Sequence, residues 1–400
     1  MTQEQELLLA LVRGELTGEP PAPDEKTLAS VDWDALLREA QQQAVTLMAA
    51  DALSPFGRFV TNASAWTAAA ARQLRANFAL TQTEAWLEKT LAPEPMTILK
   101  GMSAASYYRR PSGRILGDID FLVDSAKPEA LSALLVKNGC TRVDETESGH
   151  HRTLLRGPVV LELHVAIPAI PFGRAGDIVR ARAEGVLARS VVRTLDGQSF
   201  PSPCEFDHGL ILLLHTQNHM QECGVGVRHL CDWAAFLMAE QDAPFWPELL
   251  DLLKQIGLLR FAAVLSRVCA DYLGAPLPAF AEDAPPELAA AVMEDVLSGG
   301  NFGRKNAERS HSSMLMPSFR GEERTSTHMG KLFSRLRLSV LQRYPRAGKN
   351  PVLYPFLALY RAVLYAVRSL FGLRPRLSKI APYAHSREEM FRALRLFEAE

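Results

Sequence analysis

The sequence predicts an α+β fold in which helical regions flank a central strand-rich block, and three observations carry that expectation. Residues 1 to about 92 are rich in Ala, Leu and Gln, with apolar residues at helical spacing over 7–12 and again over 33–47. From about 94 to 200 the pattern changes to short apolar runs and strict alternation. From 204 to 275 it returns to helix, amphipathic over 210–220 and 230–239. These shifts place an N-terminal helical region at 1–93, a strand-rich domain at 94–200, a helical domain at 201–300, and a connector with a basic helical C-terminal region at 301–400.

Taken in order, the first ninety residues read as a helical cap, its first two helices separated by Pro20, Pro21 and Pro23, with no evident chemistry. Thr97, Ile98 and Leu99 form a short strand that runs into Lys100 and Gly101, where the small residues 103–106 open a helix at a phosphate-sized turn. A Pro/Gly loop carrying Arg114 leads to Gly117-Asp118-Ile119-Asp120-Phe121-Leu122-Val123. Side chains alternate along a strand, so Asp118 and Asp120 share one face while Ile119, Phe121 and Val123 share the other. Two neighbouring acids at the mouth of a buried strand repel unless a cation lies between them, which points to a divalent metal. A helix over 128–138 stops at Gly139, strands follow at 141–143 and 151–155, and a Gly157-Pro158 turn leads to a strand over 159–167. That strand is apolar at Val159, Leu161, Leu163, Val165 and Ile167 but carries Glu162 and His164 on its other face. If it pairs beside the Asp118 strand, Glu162 becomes the third acid of the metal site.

In the helical domain His215 and His219 lie one turn apart. They could share a zinc ion or be satisfied by local hydrogen bonds; no Glu follows His215, as a metalloprotease helix would need. Arg228 and Asp232 lie at ion-pair spacing on a helix. Residues 275–330 read as a loop-rich connector or lid.

Three stretches together resemble the uncharacterised bacterial nucleotidyltransferase family of the polymerase-beta-like superfamily. They are Leu99-Lys100-Gly101 through Gly117–Val123 with Arg114 between, the strand holding Glu162 and His164, and the helical segment holding His215, His219 and Arg228-His229-Leu230-Cys231-Asp232. The resemblance covers roughly 95–240 and departs at one point, where the usual adjacent Gly-Ser is Gly101-Met102-Ser103. It implies a mixed polymerase-beta-like sheet and transfer of a nucleoside monophosphate from a nucleoside triphosphate, ATP among them, with Mg²⁺ or Mn²⁺. Asp118, Asp120 and Glu162 would be the metal ligands and catalytic residues, Glu162 holding a second ion or taking the acceptor's proton. Lys100, Gly101, Ser103, Arg114, His164 and His215 would bind the nucleotide. The acceptor would be a small molecule, a peptide, a protein or an RNA end. Two other classes compete: an Asp-x-Asp glycosyltransferase, which needs a larger nucleotide-binding sheet before the motif, and a non-catalytic nucleotide-binding or membrane-adaptor protein on the same fold.

Composition restricts the remaining choices. With 400 residues, 48% hydrophobic and 22% charged, the chain is ordinary globular material for two or three domains. Five cysteines without a Cys-x-x-Cys pair fit reduced thiols, and the acidic start shows no secretory signal, so a cytoplasmic location is expected. No Gly-x-x-x-x-Gly-Lys-Ser/Thr and no complete Gly-x-Gly-x-x-Gly is present, which disfavours Walker-type ATPases and dinucleotide dehydrogenases. The net charge of −1 hides an asymmetry: residues 331–400 hold 14 Lys/Arg against 4 Asp/Glu, +10, leaving −11 for the rest. The apolar run over 352–373, interrupted by Arg361 and Arg368, reads first as a core helix of the last domain and next as an interfacial helix; the charge predicts helices that dock an anionic surface, a peripheral membrane contact at the inner face being favoured over RNA.

Overall fold

The computed structural model describes residues 1–143, 151–316, 352–370 and 377–398, with single positions at 319, 336, 337, 340, 343, 344 and 350. Five strands, β1 (Met96–Ile98), β2 (Ile119–Val123), β3 (Thr141–Arg142), β4 (His151–Arg156) and β5 (Val159–His164), form a mixed sheet in the order β1-β2-β5-β4-β3. β2 and β5 are parallel, and the other neighbours are antiparallel. All five residues of β2 are buried, Asp120 among them. Only β1 precedes β2 in this sheet, so the larger sheet that a glycosyltransferase would need before its motif is missing among the described residues.

One face of the sheet carries Ile119, Phe121, Val123, Leu161 and Leu163 into a core shared with Leu80, Leu87 and Leu91 of the 29-residue helix Ala63–Leu91 and with Leu131 and Leu135 of the helix Pro128–Lys137. The register opposes Ile119 to Leu161 and Asp120 to Glu162. A slip of one residue would put Glu162 on the apolar face, so burial of the leucines enforces the alignment of the acids.

The helices pack into a second core. Leu8 and Leu11 near the N-terminus join Trp233, Phe236, Phe261, Val292 and Phe391 in one apolar cluster. That core runs across the boundaries expected at 93, 200 and 300. The first helix, Gln3–Thr17, starts with a Thr2/Gln5 capping box and stops at Gly18, whose φ is 80°. Residues 275–300 correct the loop reading. Pro285 and Pro286 do not break structure but begin the helix Pro286–Gly299, where a missing N–H is harmless, and Leu288, Val292, Met293, Val296 and Leu297 bury its inner face. Most of the expected connector at 317–335, and the alternating stretch after Lys331, lie outside the described residues. Among the described residues no helix is long and apolar enough to cross a membrane.

Candidate active site

At the end of β1 the chain turns through Gly101 at φ 62°. A Cβ there would lie 3.2 Å from the Leu116 carbonyl oxygen and 3.3 Å from that of Asp118, so the turn can sit against the backbone entering β2 only without a side chain. The Arg114 loop is held from the N-terminal region. Asn77 donates through Nδ2 to the Arg114 carbonyl at 2.7 Å and accepts the Leu116 N–H at 3.1 Å, while Gln73 donates to the Gly113 carbonyl at 3.3 Å. The helical cap therefore positions the site, through two amides on the buried face of the helix Ala63–Leu91.

A cavity of about 130 Å³ lies between the sheet edge and the helical region. Asp118, Asp120 and Glu162 line it from the sheet; His215, His219, Arg228 and His229 line it from the helices Glu205–Glu222 and Val227–Ala239, with Lys100, Gly101, Arg114 and Phe302 also at the wall. Asp120 is 1% exposed. Its Oδ1 accepts from Lys100 Nζ at 2.9 Å and from His164 Nε2 at 3.0 Å, while its buried Oδ2 has no hydrogen-bond partner. Burial alone would raise this carboxyl, but the adjoining Lys100 and His164 outweigh burial and hold it far below the ordinary carboxylate range. The half-buried Asp118 lacks those partners, and burial together with the Asp120 charge pushes it up to about 6. Glu162 Oε2 lies 3.5 Å from His164 Nε2. Asp120, Glu162 and His164 each offer a ligand atom within 4.8 Å of the others, the one such group among the described residues. Asp118 lines the same cavity outside that group. An orphaned carboxylate oxygen beside two further carboxylates suits a hard divalent cation.

The helical wall has the opposite character. His215 Nε2 lies 3.0 Å from Lys100 Nζ and 2.8 Å from His219 Nε2. An ammonium has only protons to offer, so His215 Nε2 accepts and its proton is on Nδ1. Burial, with the Lys100 charge adding, keeps His215 neutral well below the usual histidine range. His229 accepts the Gly226 N–H at Nδ1, 3.3 Å away, which leaves a protonated Nε2 that is buried and unpartnered. Arg228 is 8% exposed, and its Nε likewise has no partner. Burial, followed by repulsion from Arg114, lowers the Arg228 pKa.

Arg114 is committed elsewhere. Its fork donates to both Asp232 oxygens, at 2.6 and 2.7 Å, and Tyr108 Oη adds a third bond to Asp232 at 2.6 Å. The Arg228 to Asp232 ion pair suggested by their spacing is replaced by this longer-range one, which ties the loop before β2 to the helix Val227–Ala239. Ser103 is fully buried and donates to the Ile98 carbonyl, so its hydroxyl turns toward β1 and stays away from the cavity. His164 reaches the site by buttressing Asp120. Arg228, His229 and Phe302 were not foreseen as site residues. Arg228 and His229, at the start of a helix whose other buried residues are apolar apart from Asp232, were the available signal for the first pair. Phe302, at φ 57°, gave none.

No curated protein and no solved structure matches the chain significantly. One family model does, over residues 29–274, which takes in the Asn77 clamp, the whole sheet and both cavity-lining helices. With more than half of its length matched, including nearly every residue of the cavity just described, the chain belongs to that family, an uncharacterised nucleotidyltransferase family.

Proposed function

We propose that this cleft moves a nucleoside monophosphate from a nucleoside triphosphate to an acceptor nucleophile, with a divalent cation held by Asp118, Asp120 and Glu162. One observation carries the reading: unsatisfied groups of opposite kind face each other across the cavity, Asp120 Oδ2 on the sheet against Arg228 Nε and His229 Nε2 on the helices. A polyphosphate with its cation is the complement of that arrangement, metal toward the acids and anionic oxygens toward the donors.

A bound Mg²⁺ or Mn²⁺ would stabilise charge developing on the α-phosphate oxygens and on departing pyrophosphate. Arg228 and His229 donate to the β- and γ-phosphate oxygens, and Lys100 holds Asp120 in place while adding positive charge at the same wall. The backbone at Gly101 comes close to the phosphates because no side chain intervenes. The acceptor oxygen attacks the α-phosphorus in line, the bond to pyrophosphate breaks, and the proton of the acceptor passes to Glu162, whose side chain is 26% exposed and the more open of the two acids facing His164. Arg114 acts through Asp232 to set the width of the cleft.

The experiment is incubation of the protein with each labelled nucleoside triphosphate and Mg²⁺ or Mn²⁺, followed by a search for label on small molecules, peptides, RNA and the protein itself. Asp120→Asn, confirmed folded by circular dichroism, is expected to lower transfer by at least about a hundredfold. Transfer by that variant at the wild-type rate would show the metal assignment to be wrong.

A further inference from the structure

The helix Tyr354–Leu370 presents an apolar face to solvent. Phe356 is 69% exposed, Leu359 64%, Tyr360 54%, Val363 52% and Val367 41%, and Val352 and Leu353 immediately before the helix are 69% and 45% exposed. At about 100° per residue these seven positions fall within one arc of about 120° centred on Phe356. The opposite side faces the protein, with Ala358 buried and Tyr354, Leu357 and Leu364 half-buried. Contiguous exposed apolar stripes of this kind mark interaction sites more often than apolar residues exposed singly.

Charge selects among partners. Residues 331–386 contain 11 Lys/Arg and no Asp or Glu. Arg361 and Arg368 lie about 120–140° around from Phe356, next to Leu357 on the side toward the protein, Arg361 half-buried and Arg368 exposed. A second copy of the chain would bring an equally basic segment against this one, and like charges would oppose the contact. Nucleic acid would satisfy the charge but not a mainly aliphatic stripe of Val and Leu, on which bases cannot stack. An anionic bilayer satisfies both, with acyl chains under the stripe and phosphate headgroups against the basic segment. Over its described residues the helix does not reach across a bilayer: 17 residues extend about 25 Å against a hydrocarbon core of about 30 Å.

We propose that the helix Tyr354–Leu370 lies flat in the interface of an anionic phospholipid membrane, with Phe356, Leu359, Tyr360, Val363 and Val367 inserted, and attaches the transferase to that surface. The proposal does not depend on the chemistry of the cleft, and its test is separate from any transfer assay.

Flotation of the full chain with phosphatidylcholine vesicles, alone or with about one-third phosphatidylglycerol, at low salt and at about 0.5 M salt, tests it. The wild type is expected to float with the anionic vesicles at low salt, and its partition coefficient to fall at least about tenfold on neutral vesicles or in high salt. The combined variant Phe356→Ser, Leu359→Ser, Val363→Ser changes only exposed side chains, and is expected to lose at least about tenfold in partition while keeping its urea midpoint. Arg361→Gln with Arg368→Gln is expected to weaken binding to the anionic vesicles alone. Any of four results overturns the proposal: no flotation of the wild type, equal flotation of the serine variant, RNA binding in place of vesicle binding, or a concentration-dependent dimer that the serine variant abolishes without any flotation.

Discussion

Replacing Asp232 with Ala tests the junction between the two walls of the cleft. The carboxylate is 6% exposed and the Arg114 guanidinium 4%, joined by two bonds of 2.6 and 2.7 Å, with Tyr108 as a third partner. Removing the carboxylate leaves Arg114 buried with only the Ile115 carbonyl, 2.9 Å from Nη1, as acceptor, and leaves Arg228 beside it with no nearby acid on its own helix. Breaking a buried pair from one side costs about 3–5 kcal/mol, against about 0–1 kcal/mol for an exposed pair, and whole domains hold only about 5–15 kcal/mol. The expected result in urea unfolding, followed by circular dichroism and tryptophan fluorescence, is a large drop in midpoint with an unchanged slope. Asp232→Asn, which keeps one acceptor, should fall between wild type and Ala. Pairing Asp232→Ala with Arg114→Met removes the orphaned charge, so the double variant should recover at least about 2 kcal/mol relative to the sum of the singles. A loss below about 1 kcal/mol, or simple additivity, would refute the view of this pair as the brace of the cleft and return Arg114 to the list of free phosphate-binding cations.

Two further outcomes are expected. Arg228→Gln should weaken binding of inorganic tripolyphosphate with Mg²⁺ by roughly tenfold to a hundredfold in calorimetry, with little loss of stability, because Nε of the buried guanidinium has no hydrogen-bond partner and its contact with the Phe302 ring, 5.6 Å to the centroid, is a weak one; unchanged affinity would remove Arg228 from the site. Glu84, fully buried on the helix Ala63–Leu91, accepts from Gln198 Nε2, and burial, with the Glu88 charge adding, pushes its carboxyl from 4.5 up to about 7. The folded chain thus keeps this proton where the unfolded chain releases it, so the contribution of Glu84 is intact below pH 4.5 and lost as pH rises toward 7, by about 3 kcal/mol at 1.36 kcal/mol per pH unit of that window. Glu84→Gln should flatten the dependence, and an equal pH slope in wild type and variant would disprove this account.

Much of the molecule is written locally. The period-2 pattern of 117–123 and 159–164 marks β2 and β5, and the same pattern sets Asp118, Asp120, Glu162 and His164 apart from the core residues between them. The helices of 205–239 follow from 3.6-residue spacing in the same way. Hydrophobic periodicity can do this because it records which face of an element leaves water. It does not record which element lies opposite. That Asp120 stands beside Glu162 and not one residue away depends on packing Ile119 and Phe121 of one strand with Leu161 and Leu163 of the other. Asp232 chooses Arg114, 118 residues distant, over Arg228 on its own helix because the loop before β2 is pinned there by Asn77. Ser103 turns from the cavity because the Ile98 carbonyl is its nearest acceptor. The run over 352–370 had the composition of a core helix, yet only its neighbours could decide which side stayed in solvent. Sequence alone thus determined the elements and the acids; tertiary structure decided their partners, since pairing energy is set by distances between residues far apart in the chain.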